Sequence, residues 1–463
     1  MSTPAPSNTS AATATAASRG TLLRILGIGF GIAIAIGGTI GMGILRMPGL
    51  IATELPNKFL FVGVWVLGAI YALLGAFNVS ELGAMLPQAG GYYVFARRAF
   101  GEYPAFIFGW TDWLAQCGSS AAVSIIIGEY LGDLFPVLHP HAIGVAIACA
   151  VPCVIAFLQW QGIRWGSRIQ DVMSSLQGLA FIAFVAAAYF FAHPRAEETP
   201  MTMPVGAAFF TMFVIAMQQV IYTYDGWYTV IYFGEEIRNP GRDVPRSMLR
   251  GVLSIMAIYI LVNLALLHVL PLSGIAGKDL AMGTAMQTLF GPKGDTLLRA
   301  LTIVSMVSAV NAFQLFASRI PFAMGRDRLA FPILANVNRG GTPTWALLFS
   351  TIACVAFILS GSFEKVAAVM AFFFVADYGM SYSAVFWLRR REQETQRPYR
   401  AWGYPLTTGF ALVGSVVFLV SAVYADRQNS LWALGVLACS VPLYLLARAL
   451  KRAGGASPQT NAD

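Results

Sequence analysis

Two short stretches of this 463-residue sequence set polar chemistry inside apolar chain. In GIGFGIAIAIGGTIGMGILRMPG, Gly37, Gly38, Gly41 and Gly43 fall within seven residues. Glycine costs about 1 kcal/mol against alanine in a helix interior, so four of them predict an unwound stretch. Tight helix packing is the other reading, because small residues at GxxxG-like spacing let helices approach closely. A dinucleotide-binding glycine loop would need a preceding strand and a βαβ unit, which this apolar context does not offer. In FFTMFVIAMQQVIYTYDGWYTVIYFGEEIRNPGRDVPRS, the residues Tyr224, Asp225, Gly226 and Trp227 interrupt a second apolar run. An ionised carboxylate at that depth needs a partner or water. Asp225 is therefore read as functional, with a carboxylate capping broken-helix N–H groups, or a protonated one, as the alternative.

Broken backbone is tolerated at membrane depth only where it lines a protein cavity. Freed N–H groups can hold a carboxylate, and freed C=O groups an ammonium or a sodium ion. A zwitterionic α-amino acid carries both charges on one carbon and is the natural guest.

Other ionisable residues offer weaker signals. Arg46 follows the first break, where it could pair with Asp225 or face vestibule water. Glu129, Asp112 and Asp377 are candidate proton carriers, or are paired with neighbours or at an interface. Glu235 and Glu236 read as an inner-gate ion-pair network or a solvated helix end. Ser305 and Ser308 could supply oxygens to sodium, or bond back to their own helix. The five cysteines lie in apolar runs; Cys149 and Cys153, one turn apart, have no His or acid near enough for a metal site. His139, His141, His193 and His268 are not clustered with carboxylates, so no enzymatic constellation stands out and no cofactor is expected.

The elements that must position these residues are membrane helices. The chain is 57% hydrophobic and 11% charged, against about 25% charged in a soluble domain. Mean hydropathy is +0.66. About twelve spans are expected, near 22–51, 58–86, 103–135, 141–160, 166–192, 205–234, 247–272, 296–324, 343–360, 364–388, 405–424 and 430–450. With the N-terminus inside, about 22 of the 30 Lys and Arg fall on inner loops and tails and about 8 elsewhere. The net charge of +8 thus records topology and implies no nucleic-acid partner. Residues 1–20 and 451–463 read as disordered cytoplasmic tails. The two breaks fall in the first and sixth spans. That spacing fits two five-helix repeats of inverted topology.

The chain resembles the amino acid–polyamine–organocation transporters, and within them the L-type amino acid transporter branch. GTIGMGILRMPG is similar to the family's glycine signature. ELGAMLPQAGGYYVFARRAFGEYPAFIFGW, YTYDGWYTVIYFGEEIRNPGRDVPRS and SAVNAFQLFASRIPFAMGRDRLAF follow in the family's order. The resemblance implies an all-α membrane protein with a 5+5 inverted-repeat (LeuT-like) fold and two extra C-terminal helices. Its parts would be 21–192 (first repeat), 205–390 (second repeat) and 391–450 (a linker and the last two spans). It implies a secondary active amino acid transporter in the cell (inner) membrane, with both termini cytoplasmic. The substrate carboxylate would meet N–H groups of Gly41, Met42 and Gly43. The amino group would meet carbonyls near Thr39 and Tyr222, with Ile40 and Thr223 in the same breaks. Tyr222 would be an aromatic gate. Asp225, Trp227 and Tyr228 would border the side-chain pocket, and Asn311 would supply a polar wall.

Three departures stand out. Met42 replaces a small residue common among relatives. Gln177 stands where several relatives have a lysine that takes the place of a sodium ion, which puts charge coupling there in doubt. The loop DLFPVLHPH has no cysteine, so no disulfide-linked heavy subunit is expected. Exchange and proton-linked symport both remain open. A polyamine or organic-amine antiporter is the alternative, and a sensing transceptor or channel fits less well.

Overall fold

The computed structural model describes residues 21–192, 201–203, 205–360, 363–425 and 427–455. Its elements are α1 (Ile28–Thr39), α2 (Met42–Glu54), α3 (Lys58–Met85), α4 (Tyr92–Phe100), α5 (Glu102–Leu134), α6 (His141–Trp160), α7 (Ile163–Phe191) and α8 (Ala207–Tyr224). They continue as α9 (Pro240–Val269), α10 (Leu272–Ile275), α11 (Ala281–Phe290), α12 (Pro292–Arg326), α13 (Thr344–Ser360), α14 (Phe363–Arg391), α15 (Leu406–Ala425) and α16 (Arg427–Gly455). Backbone groups in lipid must be satisfied within their own segment, and helices do that. Among the described residues no multi-residue strand forms, only three isolated bridges.

Among the described residues, seven helices are long and apolar enough to cross a membrane, or eight when α1 and α2, bent by 47°, count as one span. Ala208–Tyr224, Thr344–Ser360 and Leu406–Ser421 are apolar but shorter. The boundaries follow local chemistry. Asn57 caps α3 by accepting from the Phe59 and Leu60 amides at 2.9 and 3.2 Å. Pro240 and Pro292 sit in the first turns of α9 and α12, where no intrahelical N–H is needed. The core lies where α1, α3, α5, α9 and α12 meet, around Trp65, Tyr228, Tyr259 and Phe316.

The first span is split in two and the sixth loses its helix at Tyr224, where breaks were expected, the sixth going on as turns and a 3-10 segment, Thr229–Tyr232. Elsewhere the structure departs from the expected spans. The expected loop after span two contains α4, framed by Gly91 and Gly101, both at positive φ. The tail expected from residue 451 instead begins within α16, and Lys451 reaches Glu102 at 2.6 Å. The other expected tail, 1–20, and residues 456–463 lie outside the described residues. The linker after α14 is fastened to α3. Buried Glu81 takes Arg389 at 2.5 Å, Arg397 at 3.3 Å and the Ala401 amide at 2.6 Å.

Candidate functional site

The two breaks meet backbone to backbone. The chain leaves α1 through extended Ile40 and re-enters helix at Met42. The first-turn amides of α2 have no partner within their own helix. A Cβ built on Gly41 would meet nothing within 4 Å, so space lies beside those amides. On the other side, Gly226 turns the chain out of α8 with φ +106°, a conformation L side chains rarely adopt. A Cβ there would stand 2.5 Å from the Gly38 carbonyl oxygen and 2.9 Å from Thr39 Oγ1. Thr223 packs on Gly43, whose added Cβ would lie 2.8 Å from Thr223 Cγ2.

The carbonyls freed by the breaks are partly engaged. Tyr259, buried on α9, has its hydroxyl 3.1 Å from the Thr39 carbonyl and 3.0 Å from that of Thr223, one in each break. Gln177 on α7 donates through Nε2 to the Ile40 carbonyl. Gln177 thus reaches the first break as an uncharged amide. The Tyr222 carbonyl accepts from the Asp225 amide at 3.2 Å, while the Tyr222 side chain is 41% exposed.

Asp225 is half-buried against aromatic rings. The Tyr378 hydroxyl on α14 donates to one of its oxygens, and Tyr228 stands 3.5 Å from the other. The Trp227 and Tyr378 rings lie 5.5 Å apart, as do those of Tyr228 and Tyr378, and Tyr92 lies 4.9 Å from Tyr228. Asp112 on α5 accepts from Tyr232 at 2.8 Å and from Gln116 at 2.9 Å. It is therefore paired, as one of the two readings had it. Asp377 is neither paired nor at an interface: it is fully buried and both its oxygens lack a hydrogen-bond partner among the described residues.

Towards the arginine-rich end, the segment after Gly226 is sealed. Glu236 and Arg319, both fully buried, form a two-point pair at 2.9 and 2.9 Å. Arg319 also lies over the Phe233 ring at 5.0 Å. Glu235 pairs with Arg326 and accepts from the Ala89 amide at 3.1 Å. The Leu26 amide donates to the Glu236 carbonyl at 2.9 Å, tying the approach to α1 to the end of the second break. Both glutamates are thus ion-paired, and the Glu236 side chain is out of solvent.

Several expected residues sit elsewhere. Asn311 is fully buried and bound to Gln170, Gln159 and the Gly166 carbonyl, so its side chain joins α12 to α6 and α7. Ser308 meets Gln170 Nε2 at 3.1 Å and Ser174 at 3.3 Å instead of bonding back to its own helix. An amide donor thus faces the Ser308 hydroxyl, one of the two considered for sodium. Arg46 faces Asp279 at 3.9 Å with its side chain 45% exposed, as the vestibule reading had it. The sequence missed Tyr259 and Tyr378. Among the described residues there is no cluster of three metal-ligating side chains.

A family model described as amino acid permease matches residues 31–442. The serine/threonine exchanger SteT of Bacillus subtilis (strain 168) is 28% identical over 433 residues, covering 91% of this chain and 96% of the relative. The b(0,+)-type amino acid transporter 1 of Mus musculus is 25% identical over 410 residues, 87% of this chain and 82% of the relative. The large neutral amino acids transporter small subunit 2 of Homo sapiens is 24% identical over 445 residues, 92% and 80% respectively.

Proposed function

The chain belongs to the amino acid permease family, and from that premise we propose that it exchanges small neutral amino acids across the membrane through a site at the two breaks. It is a multi-pass membrane transporter of amino acids and not an enzyme. The substrate carboxylate sits on the amides of Gly41, Met42 and Gly43, where the helix N-terminus favours negative charge. The α-amino group sits against carbonyls freed near Thr39 and Tyr222. Ile40 and Thr223 shape the backbone of the two breaks, and Tyr222 closes over the guest. Trp227 and Tyr228 border the side chain. Glu235 and Glu236 form the inner gate. The two halves, 21–192 and 205–390, act as inverted repeats, each opening on a broken helix.

The observation that carries this reading is the approach of Gly226 to the Gly38 carbonyl, which sets the two breaks backbone to backbone. A serine- or threonine-sized guest is favoured by what a relative, the serine/threonine exchanger, is named for. A second reading, a cationic amino acid or an organic amine, is favoured by Asp225. Its side-chain hydrogen-bond partners are two hydroxyls, and no salt bridge to it is found among the described residues.

Purified protein in liposomes loaded with unlabelled serine tests both. Saturable uptake of labelled serine or threonine that needs internal substrate is expected. Asp225→Asn should lower uptake of arginine or ornithine more than that of serine. Absence of uptake or exchange across a panel of neutral and cationic amino acids and amines would sink the proposal.

A further inference from the structure

A buried carboxyl that the substrate site does not use stands one residue from it. Asp377 lies on α14 beside Tyr378, whose hydroxyl holds Asp225. Asp377 is fully buried, and neither of its oxygens meets a donor among the described residues. Two more buried hydroxyls near it are also without partners: Ser381, one turn along α14, and Tyr92 from α4, which lies within electrostatic reach of Asp377.

Among the described residues, the groups shown to act on it carry no positive charge. Asp112 comes from α5, and Asp225, Tyr228 and Tyr232 from the segment after α8. Tyr92 comes from α4, and Tyr71 from α3 reaches the cluster through Tyr382. From α16, Tyr444 packs on Tyr103 and Phe106, and Lys451 pairs with Glu102. On its own helix the first arginine is Arg389, about 18 Å further along the axis, and it is paired with Glu81.

Three carboxylates in one low-dielectric pocket without a cation repel one another strongly. Asp112 and Asp225 each accept hydroxyl hydrogen bonds, which suits a carboxylate. Asp377 accepts none. A metal ion is a poor candidate, because no group of three metal-ligating residues occurs among the described residues.

We propose that Asp377 is a proton-binding site, and that its proton is taken up and released in step with the substrate through Tyr378 and Asp225. The step forms one O–H bond on the Asp377 carboxyl and breaks it on release. Gain or loss of that charge changes how strongly Asp225 is repelled, and so how firmly Tyr378 is held. The coupling part rests on the exchange site proposed above.

The test uses the full chain in lipid. Infrared difference spectra should contain the carbonyl band of a protonated carboxylic acid. Asp377→Asn should abolish that band, and Asp377→Glu should keep it at a shifted frequency. In liposomes loaded with unlabelled serine, the rate of labelled-serine exchange by the wild type should change about tenfold with pH. Asp377→Asn should flatten that pH dependence while serine-for-serine exchange continues. A band unchanged by both substitutions, or an unaltered pH dependence of exchange in Asp377→Asn, would overturn the proposal. If the wild type exchanges no substrate at any pH, the exchange site fails, and the infrared arm still judges the proton site.

Discussion

At the scale of single residues, Gly226 and Tyr259 hold the two breaks together. Gly226 combines φ +106° with backbone contact to Gly38. Gly226→Ala must both strain the chain and push the breaks apart, at a combined cost of several kcal/mol. Expected is a chain that still inserts but binds no substrate, read by substrate-induced thermal stabilisation in detergent. Normal stabilisation would mean that the two breaks need not touch. Tyr259→Phe keeps the ring and removes one hydroxyl, leaving carbonyls in both breaks without it. A loss of about 1–3 kcal/mol of stability is expected, with a substrate affinity weakened several-fold. Unchanged affinity would make Tyr259 a packing residue only. The two residues also differ in how legible they were. Gly226 stood out because glycine beside aspartate breaks an apolar run. Tyr259 did not, because one tyrosine in a long apolar helix leaves no mark of what its hydroxyl touches. Tyr378 was hidden for the same reason. Asn311 was expected at the pocket wall, yet its amide is consumed by α6 and α7, a long-range pairing that no local pattern encodes.

At the scale of elements, the first break was legible because four glycines in seven residues weaken one helix locally. The form of the second was not. Its apolar pattern runs on past Asp225, yet the chain there forms turns and a 3-10 segment. Tertiary partners decide this. Phe233 pairs with Ala89, Ile237 pairs with Leu26, and Glu236 is pinned by Arg319. Helix α4 was missed because nine residues between glycines look like a loop until their aromatic face is buried. The Glu236–Arg319 pair is fully buried, so removing one partner leaves a charge stranded. Glu236→Gln should destabilise the protein by about 3–5 kcal/mol. The double change Glu236→Met with Arg319→Met should recover most of that thermal stability, since apolar replacements of buried pairs are often neutral or better. Exchange by the double variant should remain impaired if the pair works as a gate. A double variant that is stable and exchanges at the wild-type rate would reduce the pair to a structural tie.

At the scale of the whole molecule, charge placement is the most far-reaching sequence signal. At one end, Arg238 in the turn before α9 stands with Arg97 and Arg98 on α4, Arg164 and Arg168 at the start of α7, and Arg242 and Arg246 at the start of α9. The linker after α14 adds Arg397 and Arg400, and Glu81 fixes that linker to the same end as the base of α3. At the opposite end stand Lys278 and Asp279, near Arg46 and the outer stub of the first break. Lysine and arginine accumulate on cytoplasmic loops, so the arginine end should face the cytoplasm and both termini with it. The Glu235 and Glu236 pairs would then close the cytoplasmic path, and the exposed face of Tyr222 would open outward. Single cysteines separate the two orientations. The native Cys117, Cys149, Cys153, Cys354 and Cys439 are first replaced by serine or alanine. Gln393→Cys, in the linker after α14, should react with a membrane-impermeant maleimide only in inside-out vesicles. Lys278→Cys should react in intact cells. Labelling of both from the same side would break the topology, and with it the assignment of Glu235 and Glu236 to an inner gate. The opposite pattern, with Gln393→Cys reached from outside, would invert the orientation while leaving the paired breaks intact.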